Sequence, residues 1–240
     1  MSKPDVFIPS EWLTLIREGS FLYPCAGDDF QEALSVFSPY VSKFVFCDLF
    51  YDQGLNLKPV FRPKEGYQLT GSSISGDPSS SLSCKDGHKE IEPSALIEVY
   101  ENEYGNRRVT VKRRRGFGQY SLLEFEPKSI SVFMHRGDSP GEGGSNVYYF
   151  ADCKTRYQPI GHLLTKLCER LTDRAILLSD GSNTRVEQLQ KFHHEQLSGA
   201  DAFSIMKGHS FHRNGFLWTC IGYLGNKYGP TLAWDLERRM

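Results

Sequence analysis

Residues 19–49, GSFLYPCAGDDFQEALSVFSPYVSKFVFCDL, decide the fold. Residues 21–25 form a short apolar run that ends in a turn, and residues 43–49 form a second apolar run. Each run predicts a buried strand. Between them, apolar residues recur at helical spacing and predict a helix over residues 29–40: Phe30, Ala33, Leu34 and Phe37. A strand, a helix and a second strand in this order predict a βαβ unit with parallel strands.

The rest of the chain adds an antiparallel section to this unit. Residues 70–83 are rich in serine and glycine and predict a long mobile loop. Residues 94–125 carry alternating patterns and turn residues, which predict an antiparallel β insertion with strands at 94–103, 106–114 and 119–125. The remaining patterns predict a strand at 129–135, an amphipathic helix at 156–171, a strand at 174–178, a polar helix at 184–196 and a final hairpin of strands at 215–223 and 231–236. We therefore expect one α/β domain over residues 1–240, with a mostly parallel sheet, helices on both faces and a C-terminal antiparallel hairpin.

The composition is that of an ordinary globular protein. The formal net charge is −1, so the chain as a whole does not attract nucleic acid or an anionic membrane. The N-terminal residues lack the basic start and apolar run of a signal peptide. No stretch approaches the roughly 18 apolar residues that span a bilayer. None of the six cysteines forms a CxxC pair, and we expect reduced thiols in a cytoplasmic protein without a metal site.

The turn after the first buried strand is the first candidate for a binding site. Gly27 lies where a strand end and a helix N-terminus converge, which is where open α/β sheets bind ligands. A glycine there allows a ligand to approach the backbone closely. Asp48 ends the next strand, where a carboxylate can accept hydrogen bonds from both hydroxyls of a ribose. A structural role, in which Asp28 and Asp29 only cap the helix, is the alternative.

Here the chain resembles a known family. The stretch PCAGDD at residues 24–29 is similar to the first motif of class I S-adenosylmethionine-dependent methyltransferases, and Asp48 matches their acidic residue after the second strand. The resemblance implies a Rossmann-like fold that ends in an antiparallel hairpin, and S-adenosylmethionine as the cofactor. It assigns cofactor binding to five residues: Tyr23, Ala26, Gly27, Asp28 and Asp48. Asp29 departs from the family pattern, which has a second glycine there. Two acidic residues repel a pyrophosphate but not a sulfonium cation.

A second candidate is the glycine-rich stretch at residues 135–146, HRGDSPGEGGSN, which follows the fourth strand of the expected sheet. Its proline and four glycines are typical of a flexible loop, a lid or a nest of backbone amides. His135, Asp138 and Glu142 are the candidates for acid–base catalysis, because of their position in this loop. Asp180, Ser182 and Asn183 follow the next strand and can line the same cleft, although a polar turn before a helix is the simpler reading.

A third feature is a basic cluster around the middle hairpin: Arg107, Arg108, Lys112, Arg113, Arg114 and Arg115. A charged edge strand that resists aggregation explains such a cluster. A phosphate-binding patch for RNA or DNA is the alternative.

Three functions are consistent with these patterns. The first is an S-adenosylmethionine-dependent methyltransferase that acts on a small molecule or a nucleic acid. The second is a non-catalytic binding or regulatory protein on the same scaffold, favoured by the missing second glycine. The third is a hydrolase or nucleotide-modifying enzyme that uses the loop at residues 135–146. A methyltransferase requires an open, adenosine-sized cleft between Gly27 and Asp48, and a binding protein predicts that side chains such as Tyr23 or Phe30 fill this cleft. The third function requires His135, Asp138 and Glu142 to converge.

Overall fold

Strands dominate the structure. The computed structural model describes residues 6–16, 19–48, 51, 60–61, 66–76, 94–116, 118–137, 163–182, 184, 186–193, 195–225 and 229–239. Of these residues, 44% lie in strands and 23% in helices. The strands are β1 Val6–Phe7, β2 Ser20–Pro24, β3 Lys43–Asp48, β4 Tyr67–Ser75, β5 Ala95–Asn102, β6 Arg108–Arg115, β7 Ile130–His135, β8 Leu171–Ser179, β9 Ser210–Arg213, β10 Phe216–Leu224 and β11 Leu232–Arg238.

The helices are short. They are α1 Ser10–Leu13, α2 Gln31–Phe37, α3 Gly118–Ser121, α4 Leu163–Arg170, α5 Glu187–Gln190 and α6 Gly199–Met206, with a 3₁₀ turn at Leu122–Glu124. The expected strand at residues 119–125 is therefore helical, because a short apolar run does not by itself distinguish a strand from a buried helical turn. Only Glu187–Gln190 of the helix expected at 184–196 is α-helical. Of the helix expected at 156–171, Leu163–Arg170 is observed, and residues 156–162 lie outside the described residues.

All the described strands belong to one sheet of 11 strands. Their order is β1-β10-β11-β8-β7-β2-β3-β6-β5-β4, with β9 paired to β10 beside this path. Four pairings are parallel, β2 with β3, β2 with β7, β3 with β6 and β7 with β8. The other six pairings are antiparallel. The carboxyl ends of β2, β3, β7 and β8 therefore lie at the same edge of the sheet.

The expectation of a mostly parallel, Rossmann-like α/β fold is wrong. Antiparallel pairings outnumber parallel ones, and strand residues are about twice as frequent as helical residues. The error arose because the middle strands were interpreted as an insertion. In the structure β6 pairs in parallel with β3 and antiparallel with β5, so the middle strands extend the same sheet. The predicted βαβ unit and the predicted C-terminal hairpin are confirmed as local elements.

Two further expectations about the middle section change. Residues 70–75 of the expected loop belong to β4, which pairs with β5, and residues 77–83 lie outside the described residues. The basic strand β6 lies between β3 and β5, so it is not an edge strand. Its alternating Val109 and Val111 are fully buried, which anchors the strand inside the sheet.

The central strands are buried on both faces, as their continuous apolar runs predict. Successive side chains of a strand point to opposite faces. Leu22 accordingly packs in one hydrophobic cluster with residues of α4 and α6, such as Leu167 and Phe203. Phe21 and Tyr23 pack in the other cluster with residues of α2. These two clusters hold the sheet rigidly beneath the loops at its carboxyl edge.

Candidate functional site

The turn after β2 has an unusual backbone. Cys25 has a φ of 57° and Gly27 a φ of 51°, both in the left-handed region that favours glycine. The amide of Ala26 donates to the carbonyl of Cys47 at 3.1 Å, and the amide of Asp29 donates to the carbonyl of Ala26 at 2.8 Å. These bonds fix the turn against β3 and present the Gly27 peptide at the edge of the sheet.

Gly27 and Asp48 are in direct contact, whereas the sequence predicts a cleft between them. The amide of Gly27 donates to Oδ2 of Asp48 at 2.8 Å, and the Asp48 side chain is buried. The hydroxyl of Tyr51 donates to the Gly27 carbonyl in a short hydrogen bond. Among the described residues, a Cβ built at Gly27 meets no atom nearer than Asp48 Oδ2, at 4.0 Å.

Asp29 does not cap helix α2. The N-cap position belongs to Phe30, without a side-chain hydrogen bond. The Asp29 carboxylate faces Arg136 instead, which donates from Nε to Oδ2 at 2.6 Å and from Nη2 to Oδ1 at 2.8 Å. The hydroxyl of Tyr23 also donates to Asp29, at 3.0 Å. At the position where the family has its second glycine, this chain therefore has Asp29, whose carboxylate forms a bidentate ion pair with Arg136.

The other residues expected to bind the cofactor divide into two groups. Tyr23 is fully buried, and burial raises the pKa of its hydroxyl, with the Asp29 charge raising it further. Tyr23 therefore remains protonated and acts as a hydrogen-bond donor. Ala26 is buried beneath the turn, whereas Asp28 is exposed. Gly27 is half-buried and Asp28 is exposed, whereas Asp48 is buried and already accepts the Gly27 amide.

The candidates for acid–base catalysis are only partly described. His135 is fully buried at the end of β7, where it pairs with Ser179 in the sheet register. Its ring is parallel to that of Phe133, with 6.5 Å between the ring centroids. Asp138, Glu142 and Asn183 lie outside the described residues, so the convergence of His135, Asp138 and Glu142 stays a prediction.

Asp180 organises the loops that follow β7 and β8. Its Oδ2 accepts the amide of Gly137 at 2.8 Å, and its Oδ1 accepts the amide of Ser182 at 2.8 Å. The hydroxyl of Ser179 accepts the amide of Gly181 at 3.0 Å. Asp180 is buried and binds Gly137 and Ser182 at the starts of both loops. It therefore holds these two loop starts together rather than facing a ligand.

The basic cluster is largely neutralised inside the protein. Arg113 forms a buried ion pair with Glu98, at 2.8 Å between Nη2 and Oε2. Lys112 and Arg114 both bind Glu124. Arg107 donates to the carbonyl of Ser38, Arg108 is exposed, and Arg115 is half-buried. Binding of nucleic acid by this cluster stays a prediction, and Arg108 is its most accessible member.

Replacement of Glu124 by glutamine is expected to destabilise the protein by about 1 kcal/mol at pH 7, because a half-buried charge pair is lost. Burial alone raises the pKa of Glu124, but Arg114 and Lys112 hold it below its ordinary value of 4.5. A carboxyl group whose pKa is lower in the folded protein than in the unfolded chain stabilises the folded state at pH values above its unfolded pKa. This stabilisation is lost as the pH falls through the pKa of the folded state. Urea unfolding at pH 7 and pH 3.5 measures the effect. The exposed Glu126→Gln serves as the control, and an equal loss at both pH values contradicts the prediction.

Sequence reasoning missed the residues that support the site. Arg136 was placed in the glycine-rich loop, yet its guanidinium is buried beneath the turn after β2. Tyr51 was not singled out, although it binds the Gly27 carbonyl. An available signal was the charge of Asp29 at a motif position that normally holds glycine, since a buried carboxylate needs a cationic partner.

The described part of the chain contains no group of three or more His, Cys, Asp or Glu side chains arranged to hold a metal ion. No helix within the described ranges has the length and apolar character needed to cross a membrane. Gly27 and Asp28, the accessible part of the turn after β2, are the described residues of this site that could contact a cofactor. Comparisons of the chain with models of protein families, with curated proteins and with solved structures find no match.

Proposed function

We propose that this protein binds S-adenosylmethionine beside Gly27 and Asp48 and transfers its methyl group to an acceptor. The observation that carries the proposal is the bond from the Gly27 amide to Asp48, at 2.8 Å, which brings a glycine turn and a strand-end carboxylate together. A left-handed glycine and a carboxylate at the ends of adjacent parallel strands suit a nucleoside. A carboxylate has about four acceptor sites, and the Gly27 amide occupies one of those of Asp48.

The charge of the site supports this cofactor over a phosphorylated one. Asp28 is exposed beside Gly27, and Asp48 is a buried carboxylate on the other side of the turn. Negative side chains repel a pyrophosphate and attract a cation. Arg136 is committed to Asp29 and Glu32, so it is not directed at a phosphate. S-Adenosylmethionine, a sulfonium cation without a phosphate group, fits this charge.

The residues of the chain would contribute mainly by positioning. Asp48 and Gly27 hold the nucleoside end, and Asp180 fixes the loops after β7 and β8, where we place the acceptor. The bound cofactor supplies a methyl group whose bond to sulfur breaks with its electron pair on sulfur while the acceptor's lone pair forms the new bond to carbon. Correct alignment of two bound reactants supplies much of the rate enhancement in such a reaction.

Calorimetric titration with S-adenosylmethionine and S-adenosylhomocysteine tests the proposal. The wild-type protein is expected to bind in the micromolar range, and Gly27→Trp to show no binding, because the indole fills the space beside Asp48. Gly105→Trp is the matched control, since Gly105 also has a left-handed φ, of 65°, but lies in the β5–β6 turn with open surroundings. No heat from a folded wild-type protein, or equal binding by both variants, contradicts the proposal.

A second candidate is a binding or regulatory protein without catalysis. The observation that favours it is the internal pairing of Asp29, whose charge Arg136 already neutralises. Transfer of a radiolabelled methyl group to protein, nucleic-acid and small-molecule fractions distinguishes the two candidates. Cofactor binding without labelling of any fraction favours the binding protein, and labelling of one fraction identifies the acceptor class.

We also propose a cytoplasmic location. Four of the described cysteines carry reduced thiols rather than disulfide bonds: Cys25, Cys47, Cys168 and Cys220. Free, mostly buried thiols are typical of proteins that fold in a reducing compartment.

A further inference from the structure

Arg136 is a charged side chain enclosed by the protein. Only 1% of its surface is exposed. Besides its two bonds to Asp29, it donates from Nη2 to Glu32 at 2.9 Å and from Nη1 to the carbonyl of Leu224 at 3.1 Å. Burial alone lowers the pKa of Arg136, but Asp29 and Glu32 raise it, so the guanidinium stays charged. One side chain therefore connects the ends of β7 and β10 to the start of helix α2.

The contact with Asp29 acts directly on the turn that contains Gly27. The Asp29 amide donates to the Ala26 carbonyl at 2.8 Å, so residues 26–29 form one hydrogen-bonded turn. Holding the Asp29 side chain in two places limits rotation of this turn. The Gly27 amide must point at Asp48 for their bond to form. The orientation of the Gly27 peptide thus depends on a residue from the far part of the chain.

We propose that Arg136 is a positioning residue for the cofactor site, which holds the Gly27 turn in the orientation that binds ligand. This inference rests on the proposed function. The planar guanidinium makes two parallel bonds to one carboxylate, a geometry that the ammonium group of lysine does not reproduce. Arg136→Lys therefore keeps the charge but removes the fixed orientation.

The chain offers a matched control for this substitution. Arg174 on β8 binds Asp235 on β11 in the same bidentate manner, at 3.0 Å from Nε and 2.9 Å from Nη2. This pair lies toward the amino end of β8, away from the carboxyl edge that carries Gly27. Arg174→Lys therefore measures the cost of losing a bidentate pair without disturbing the site.

The experiment compares three variants, Arg136→Lys, Asp29→Asn and Arg174→Lys. Exchange of the Gly27 amide with deuterium is followed by NMR without ligand, S-adenosylmethionine affinity is measured by calorimetry, and stability is measured by urea unfolding. We expect about tenfold faster Gly27 exchange and about tenfold weaker cofactor binding in Arg136→Lys and Asp29→Asn. Arg174→Lys is expected to change stability alone. Asp29→Asn tests the same contact if Arg136→Lys does not fold.

The outcomes separate this inference from the proposed function. If Arg136→Lys and Asp29→Asn match Arg174→Lys in Gly27 exchange and in affinity, Arg136 is not a positioning residue, although the function stands. If the wild-type protein binds no S-adenosylmethionine, the proposed function fails. The ligand-free exchange of the Gly27 amide then still decides whether Arg136 holds the turn.

Discussion

Replacement of Glu98 by alanine is expected to lower the free energy of unfolding by about 3–5 kcal/mol, because it leaves a buried arginine without its counter-charge. Glu98 and Arg113 expose 2% and 3% of their side chains, at 2.8 Å from each other. Burial raises the pKa of Glu98 above its ordinary value, because Tyr100 and Arg113 offset only part of the desolvation cost. Tyr100 also donates to Glu98 at 2.7 Å and accepts the Val60 amide at 2.9 Å. The substitution therefore disturbs a network that links β5 and β6 to Val60.

Urea unfolding of the variant measures this loss. Glu101→Ala on the same strand is the control, and its half-buried position predicts a change within about 0.5 kcal/mol. The double variant Glu98→Leu, Arg113→Met is expected to recover most of the stability, because two apolar side chains replace both charges. A loss below about 1 kcal/mol for Glu98→Ala, or no recovery in the double variant, shows that the pair is not energetically coupled.

Replacement of Gly181 by alanine is expected to destabilise the protein by about 3 kcal/mol, because the new methyl group meets backbone that cannot move aside. Gly181 has a φ of 82°, and a Cβ there lies 2.5 Å from the carbonyl oxygen of Leu189 and 3.1 Å from Cα of Gln190. The Leu189 carbonyl belongs to α5, which follows the Asp180 turn. The clash therefore displaces the turn that holds the loops after β7 and β8.

Gly208→Ala isolates the steric part of this effect. Gly208 also has a left-handed φ, of 71°, but nothing lies within 4 Å of the added Cβ. Its cost is expected to be about 1 kcal/mol, the penalty of the left-handed backbone alone. Thermal and urea unfolding of both variants supply the comparison. Equal losses contradict the steric argument and show that α5 moves to accept the methyl group.

Local elements were predictable where the apolar pattern is continuous. The runs around β2 and β3 and the helix between them follow from residues 19–49, and this unit brings Gly27 against Asp48. Parallel pairing requires a crossover, and helix α2 supplies one of suitable length. The C-terminal hairpin of β10 and β11 was predictable because its two strands are adjacent in the chain.

The fold class was not predictable from the same patterns. Alternation indicates that β5 and β6 are strands, but not that β6 joins β3 in the central sheet. That pairing depends on the fit between distant strands, which a local pattern does not contain. The burial of Arg113 and Arg114 was not predictable for the same reason. Their partners are Glu98 and Glu124, and charged residues in a sequence are normally expected at the surface.

The candidate site was only half visible in the sequence. The backbone part follows from the glycine turn and from the strand-end carboxylate. The support from Arg136 was not visible, because its partner Asp29 lies 107 positions earlier in the chain. Contacts between residues so far apart in the chain depend on the tertiary structure and leave no spacing pattern in the sequence. By sequence, Arg136 belongs to a glycine-rich loop.

The strand order has a consequence for how quickly the chain folds. β2, in the middle of the sheet, pairs with β3 nearby in sequence but also with β7, where Ser20 meets Ile130. β1 pairs with β10, where Val6 lies opposite Leu224, so β1 can join the sheet only after β10 has formed. Pairing strands that are distant in sequence costs the entropy of closing a long loop before any stabilising contact forms. A high contact order therefore slows folding. Folding should therefore be slow, with β1 docking last and with the centre of the sheet incomplete until the residues of β7 have been synthesised.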